Sequence, residues 1–240
     1  MDLEAALDLA IRLAREAGAH LLAEFHRPGG PRGDRKKSPA DREAEVRIRE
    51  AIRTAFPDHG FRAEEDPAEN LLPRDPDGSI WLVDPNDGTA AAHDGWRGAS
   101  VSIALLARRR PVLGVVFAYA APDDRGDLIA WAQGRGPIVR SGRPVVRPSW
   151  SSDLRADHTV LVSHVADRLS LANATRAAPA RFAPTPSLAW RLARAACGDA
   201  EGVVSIATPQ EHDLAAGHAL VIAAGGVLVD ETGREVAYDE

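Results

Sequence analysis

The run Trp81-Leu82-Val83-Asp84-Pro85-Asn86-Asp87-Gly88-Thr89 carries residue types at a spacing that chemistry can use. Two carboxylates, Asp84 and Asp87, stand between an apolar run and Ala90-Ala91-Ala92, a good helix start. Ile80 to Val83 reads as a buried strand that ends in Asp84, with Pro85 stopping its ladder. The free N–H groups of a helix start attract phosphate. Carboxylates beside them would repel it unless a hard cation lies between. Mg²⁺ is held in that way, by one or two carboxylates plus substrate phosphate. An ordinary Asp-Gly turn fits this stretch equally well.

Further acids fall at similar places, where a strand or loop meets a helix. Glu64 and Glu65 follow the short strand Phe61-Arg62-Ala63, and Asp213 is expected to open the helix Leu214-Ala215-Ala216-Gly217. If the strands pack side by side, these ends converge. Converging carboxylates raise one another's pKa, and a divalent metal cluster relieves that strain. The chain has no Cys/His set with zinc spacing, and oxygen ligands favour Mg²⁺ or Mn²⁺. Haloacid-dehalogenase-type phosphatases use Asp-x-Asp-Gly-Thr with an aspartate nucleophile. Here Pro85 and Asn86 separate the aspartates, which favours an activated water instead.

The elements that must position these acids are legible in outline. Residues 3–26 place Leu3, Ala6, Leu7, Ala10, Leu13, Ala14, Ala17, Leu21 and Phe25 on one helical face. Ala40 to Phe56 is a second helix with Asp41 in its first turn, where an acid suits the helix dipole or a simple cap. The Gly/Pro/basic loop between them, with Arg32, Arg35, Lys36 and Lys37, reads as solvated. Ala99–Leu106 and Val112–Ala121 read as strands joined by a turn at Arg108-Arg109-Arg110-Pro111. Leu128–Trp131 is a third, and Ile138-Val139 and Val145-Val146 flank a Ser-Gly turn, so one large, mainly antiparallel sheet is expected. A polar stretch near Pro148–Ala156 suggests a boundary between an N-terminal part, 1–150, and a C-terminal part, 151–240. The latter alternates: strand Val160–Val162, helices Ala166–Ala174 and Leu188–Cys197, strand Val203–Ile206, helix Leu214–Ala224 and strand Val227–Val229. Such alternation argues an α/β layer.

Composition excludes other classes. The 240 residues carry a formal net charge of −6, which does not suggest a nucleic-acid binder. No apolar run is long enough for a bilayer, and the N-terminus is an amphipathic helix rather than a signal peptide. The single Cys197 rules out an internal disulfide and fits a reducing compartment, so the cytoplasm is expected.

Taken together the motifs resemble the inositol monophosphatase superfamily of Mg²⁺-dependent, lithium-sensitive phosphomonoesterases. The Asp-Pro-x-Asp-Gly-Thr of that family appears as Asp84–Thr89, its Gly-Glu-Glu as Ala63-Glu64-Glu65, and its Trp-Asp-x-Ala-Ala-Gly as His212–Gly217. Ala223–Val227 looks like its Glu-Ala-Gly-Gly. The resemblance implies a layered αβαβα sandwich within the α/β (α+β) class, and a homodimer. It implies that Glu64, Asp84 and the backbone carbonyl of Asn86 hold the cation that binds the attacking water. Asp84, Asp87 and Asp213 would hold a second, and Glu64 a third. Asp41 would hydrogen-bond Thr89, Thr89 and Glu64 would orient and deprotonate the water, and the N–H groups of Gly88 and Thr89 would hold phosphate.

Departures bear on the substrate. Ala90 and Ala91 stand where the family usually has Thr-Asn, and His212 where it has Trp; His212 reads as a packing substitution. Inositol-selective members carry an acid seven positions before the last metal aspartate, and here Ile206 stands there. Ala207–Asp213, with Glu211 and His212 as candidate substrate contacts, looks closer to members acting on 3′-phosphoadenosine 5′-phosphate. Trp96, read mainly as core or dimer contact, and Arg97 could instead meet a base or a second phosphate. The expected activity is hydrolysis of a small soluble inositol or sugar phosphate. A 3′(2′),5′-bisphosphate nucleotidase is the alternative, and a non-catalytic metal- or phosphate-binding homologue is a further one.

Overall fold

The computed structural model describes residues 2–151, 153–206 and 208–238. Helices α1 (Leu3–Phe25) and α2 (Pro39–Ala55) come first. Asp2 caps α1 by accepting from the N–H groups of Glu4 and Ala5. Ser38, not Asp41, caps α2, accepting from the Asp41 N–H at 3.3 Å. Their apolar stripes, Ala6-Ala10-Leu13-Ala17-Leu21 and Ala44-Ile48-Ile52, are buried.

Those stripes cover one face of a seven-stranded sheet. Its strands are β1 (Gly60–Ala63), β2 (Ile80–Asp87), β3 (Ser100–Ala107), β4 (Arg110–Ala118), β5 (Asp127–Ala132), β6 (Val139–Arg140) and β7 (Arg143–Pro144), in that spatial order. β1 runs parallel to β2, and every later pairing in this sheet is antiparallel. The turn after β3 is two residues long, because Arg108 and Arg109 both take positive φ and Pro111 belongs to β4.

Pro85 does not end its strand, contrary to the sequence-based expectation. Asp84 pairs with Ser102 and Asp87 with Ser100, so β2 carries one extra residue there, a bulge. Proline needs no ladder donor at such a break, and the strand resumes.

The second face of the sheet is covered by α5 (Leu188–Ala196) and α6 (Glu211–Ala224). Gly114 on β4 makes this packing close: a Cβ there would lie 2.3 Å from the Ala216 carbonyl oxygen. Beyond α5 lies a three-stranded parallel sheet, β10–β8–β9, built from β8 (Thr159–Ser163), β9 (Arg181–Thr185) and β10 (Gly202–Val203). A short 3₁₀ turn and α4 (Ser170–Ala177) pack on it. Helices and sheets therefore alternate in layers, as the resemblance implied.

Four local readings change. β9 was not legible, since Arg181-Phe182-Ala183-Pro184-Thr185 is short and contains proline. The strand expected over Val203–Ile206 is only Gly202–Val203, and Val227–Val229 contributes a single bridge, Val229 to Glu235. α6 begins at Glu211, so Asp213 lies inside its first turn rather than opening it.

Candidate active site

Sheet register assembles the acids. Parallel pairing matches Ala63 with Val83, which places Glu64 beside Asp84 at the end of the shared ladder. The bulge then carries Asp87 to the same end of β2. α6 delivers Asp213. Its carboxylate accepts the Gln210 N–H at 2.7 Å, and the Asp213 N–H donates back to the Gln210 carbonyl at 3.2 Å, a reciprocal pair that fixes the first turn. Ser102, opposite Asp84 on β3, donates to the His212 carbonyl at 3.2 Å and ties that turn to the sheet.

One carboxylate oxygen from each of Asp84, Asp87 and Asp213 falls within 4.8 Å of the others. Glu64 follows Ala63 as Asp84 follows Val83, so the two carboxyls stand at neighbouring positions at the end of the β1–β2 ladder. Asp84 is buried; Asp87 and Asp213 are half-buried; Glu64 stands exposed at the mouth. Burial first, then repulsion from Glu64, Asp87 and Asp213, pushes the Asp84 carboxyl well up. Asp87 is raised to about 6 by burial and then by Asp213, against hydrogen bonds from Ser187 and Ala189. Protein crowding and then the charges of Asp213, Asp87 and Asp41 lift Glu64 to about 7, although solvent at the mouth screens part of this. Glu65, raised to about 7 by burial and then by Asp41, sits to one side, its N–H donating to Glu45 at 2.6 Å. The clustered donors are all carboxylate oxygen, which suits a hard divalent cation such as Mg²⁺ or Mn²⁺.

The remaining predicted residues surround this cage. Thr89 opens the short helix α3 (Thr89–His93) after Gly88, whose φ of +102° turns the chain out of β2. The Thr89 hydroxyl lies 2.7 Å from Asp41 and 2.9 Å from the Asn86 carbonyl. The Asp41 carboxylate therefore faces the site rather than capping α2. Glu211 is paired with Arg62 at 3.0 Å. His212 is largely covered, with its ring Nε2 3.5 Å from Asp213. Trp96 is 47% exposed beside His164, so it is not a core residue. Ile206 is 78% exposed, and Ala207 lies outside the described residues. Of the basic loop, Arg32 is held by Glu24 and Glu43, and Arg35 by Asp94 at 3.0 Å.

Sequence reasoning missed three contributors. Ser187 caps α5 and its hydroxyl donates to Asp87 at 2.7 Å. The serine before Leu188 is a readable cap signal, but its bond to Asp87 spans 100 residues and is not readable. Ser102 is one serine in an apolar strand. Tyr119 donates to the Asn86 side chain at 2.9 Å.

The profile of the inositol monophosphatase family matches residues 2–240. The chain belongs to the inositol monophosphatase family. It is 30% identical to the Nus factor SuhB of Escherichia coli (strain K12), over 95% of this chain and 85% of that protein. It is 28% identical to inositol monophosphatase 2 of Solanum lycopersicum, over 97% of this chain and 90% of that protein. Its fold is similar to that of an inositol monophosphatase from Anabaena, with a TM-score of 0.71 and 25% identity, covering 94% of this chain and 83% of that one. Within this family member, no described helix is long and apolar enough to cross a membrane.

Proposed function

We propose that this inositol monophosphatase family member is a Mg²⁺-dependent phosphomonoesterase acting on a small soluble phosphate ester. The observation that carries the reading is the meeting of Asp84, Asp87 and Asp213 within 4.8 Å, with Glu64 at the neighbouring end of β1. Asp84, Asp87 and Asp213 hold one cation. Glu64, Asp84 and the Asn86 carbonyl hold another, and Glu64 serves a third. When bound, such cations lower the pKa of a water nucleophile and neutralise charge on the phosphoryl oxygens during in-line displacement.

The chain's own groups do the positioning. The Thr89 hydroxyl donates its hydrogen bond to the Asp41 carboxylate, the stronger of its two acceptors. Its oxygen lone pair is thereby left to accept a hydrogen bond from the water and orient it, and Glu64 takes up the proton that the water loses on attack. N–H groups of Gly88 and Thr89 orient the ester phosphate before the first intrahelical bond claims any donor. Asp87 spends one oxygen on Ser187 and on the Ala189 N–H, which fixes its orientation. An inositol or sugar phosphate is the first substrate class. A 3′(2′),5′-bisphosphate nucleotide is the alternative, favoured by Ile206 where an acid would bind sugar hydroxyls. Homodimerisation and a cytoplasmic setting follow from the resemblance and from the single Cys197.

Initial rates on a panel of phosphate esters with Mg²⁺, against the same panel in EDTA, test this reading. Turnover of none of them, or turnover indifferent to EDTA, would sink it. A second reading is a non-catalytic role, favoured by Ala90 and Ala91 and by the likeness to a protein named as a Nus factor. Calorimetric Mg²⁺ binding without turnover would select it.

A further inference from the structure

Behind Thr89 lies a buried polar network whose outer members the proposed chemistry leaves unused. Asn86, the variable position of the Asp-Pro-x-Asp-Gly-Thr motif, is 5% exposed. Its amide nitrogen lies 3.1 and 3.2 Å from the two oxygens of Asp41. Its amide oxygen accepts the Tyr119 hydroxyl at 2.9 Å. Asp41 and Tyr119 are buried, so these groups have no water with which to exchange partners.

The directions of these bonds are forced. Burial pushes the Tyr119 phenol well up, so it remains a donor. It fixes the oxygen side of the Asn86 amide toward itself and the NH₂ side toward Asp41. Asp41 then receives donors from the Asn86 amide and from Thr89. The network joins the bulge in β2, the first turn of α2 and the residue following β4. An aliphatic side chain at position 86 would fill the space but would leave the Asp41 oxygens with one fewer donor in a dry site.

We propose that Asn86, through its side chain, and Tyr119 are positioning residues that lock the Asp41 carboxylate in the orientation that aims Thr89 at the nucleophile. The proposal rests on the phosphomonoesterase reading above. Neither side chain touches substrate in it; both act through Asp41.

The test compares wild type with Asn86→Leu and Tyr119→Phe, using a phosphate ester that the wild type hydrolyses. Expected is a fall in kcat of about 10- to 100-fold for Asn86→Leu. Tyr119→Phe should give a smaller fall, and KM and calorimetric Mg²⁺ affinity should hold within about twofold in both. In a Thr89→Ala background, Asn86→Leu should add no further loss, because both changes break the same relay. Crystal structures of both variants should show the Asp41–Thr89 hydrogen bond broken or Asp41 turned. A kcat within about twofold of wild type in both variants, or losses that simply add, would overturn the proposal. Should wild type hydrolyse no ester, the phosphomonoesterase reading fails. The variant structures then decide the positioning claim alone: an unmoved Asp41–Thr89 pair overturns it. If Asn86→Leu does not fold, Tyr119→Phe, which removes one oxygen, carries the same readouts.

Discussion

Ser187 donates its hydroxyl to Asp87 at 2.7 Å, joining the start of α5 to the acid cluster at the end of β2. The same oxygen accepts the Trp190 N–H at 2.8 Å, so one side chain both caps a helix and aims a carboxylate. Ser187→Ala should lose both roles. We expect about 1 kcal/mol of lost stability from the cap. We also expect about a tenfold fall in Mg²⁺ affinity from the freed Asp87. Thermal unfolding and calorimetry read the two losses separately. A stability loss with unchanged affinity would assign Ser187 to the helix alone.

Asp84→Asn removes the buried carboxyl, pushed up by burial and then by Glu64, Asp87 and Asp213, from the cluster. Turnover should fall to background while the fold persists. In the absence of metal at pH 8 the variant should gain on the order of 1 kcal/mol, or about 2–4 °C in Tm, as repulsion is relieved. Substantial residual hydrolysis would remove Asp84 from the proposed cation site.

The raised carboxyls also set a pH dependence. Asp87 at about 6 and Glu64 and Glu65 at about 7 titrate above their unfolded values near 4. The folded chain therefore binds more protons than the unfolded one across that window. The stability these groups contribute is complete below the unfolded pKa and is lost as pH rises through 6 and 7. Metal-free protein should melt at lower temperature at pH 8 than at pH 5.5. Mg²⁺ should restore more at pH 8, where it competes with fewer protons. Melting curves in EDTA and in Mg²⁺ across this range check the sign; a metal shift that grows toward low pH would contradict it.

Gly114→Ala tests the link between core and site. The new methyl would press on the Ala216 carbonyl of α6, the helix that carries Asp213. Overpacking of this kind costs about 1–3 kcal/mol. A weakened Mg²⁺ affinity should accompany it, since α6 cannot shift without moving Asp213. Retained affinity in a destabilised variant would show that the first turn of α6 is held by Ser102 and the Gln210 cap alone.

Much of this arrangement was readable in the sequence because it rests on local signals. The apolar stripe of α1, the run Ile80–Val83 and the Asp84–Thr89 motif each declare themselves within a few residues. What escaped depends on partners far away in the chain. From its own neighbourhood Asp41 looked like a helix-dipole residue, because its bond to Thr89 crosses 48 positions; only the family resemblance pointed to that bond. Pro85 looked like a strand terminator because a bulge is visible only once β3 is laid alongside. Of the core and dimer-contact readings of Trp96, its exposure removes the first, because hydrophobicity says nothing about which side of a loop faces out. Val203–Ile206 had strand composition, but its described bonding to β8 ends with the Val204 N–H on the Leu161 carbonyl at 2.9 Å.

The acids come from positions 64, 84, 87 and 213, so the last of them arrives on α6, far along the chain from the other three. A nascent or truncated polypeptide lacking α6 has an incomplete cage, whatever the state of the large sheet. Any ion that needs all four acids can therefore engage only a chain with α6 docked, and its binding energy accrues to that docked state rather than to an early nucleus. Such an ion acts as a checkpoint on assembly: chains that have docked α6 retain it, and those that have not do not.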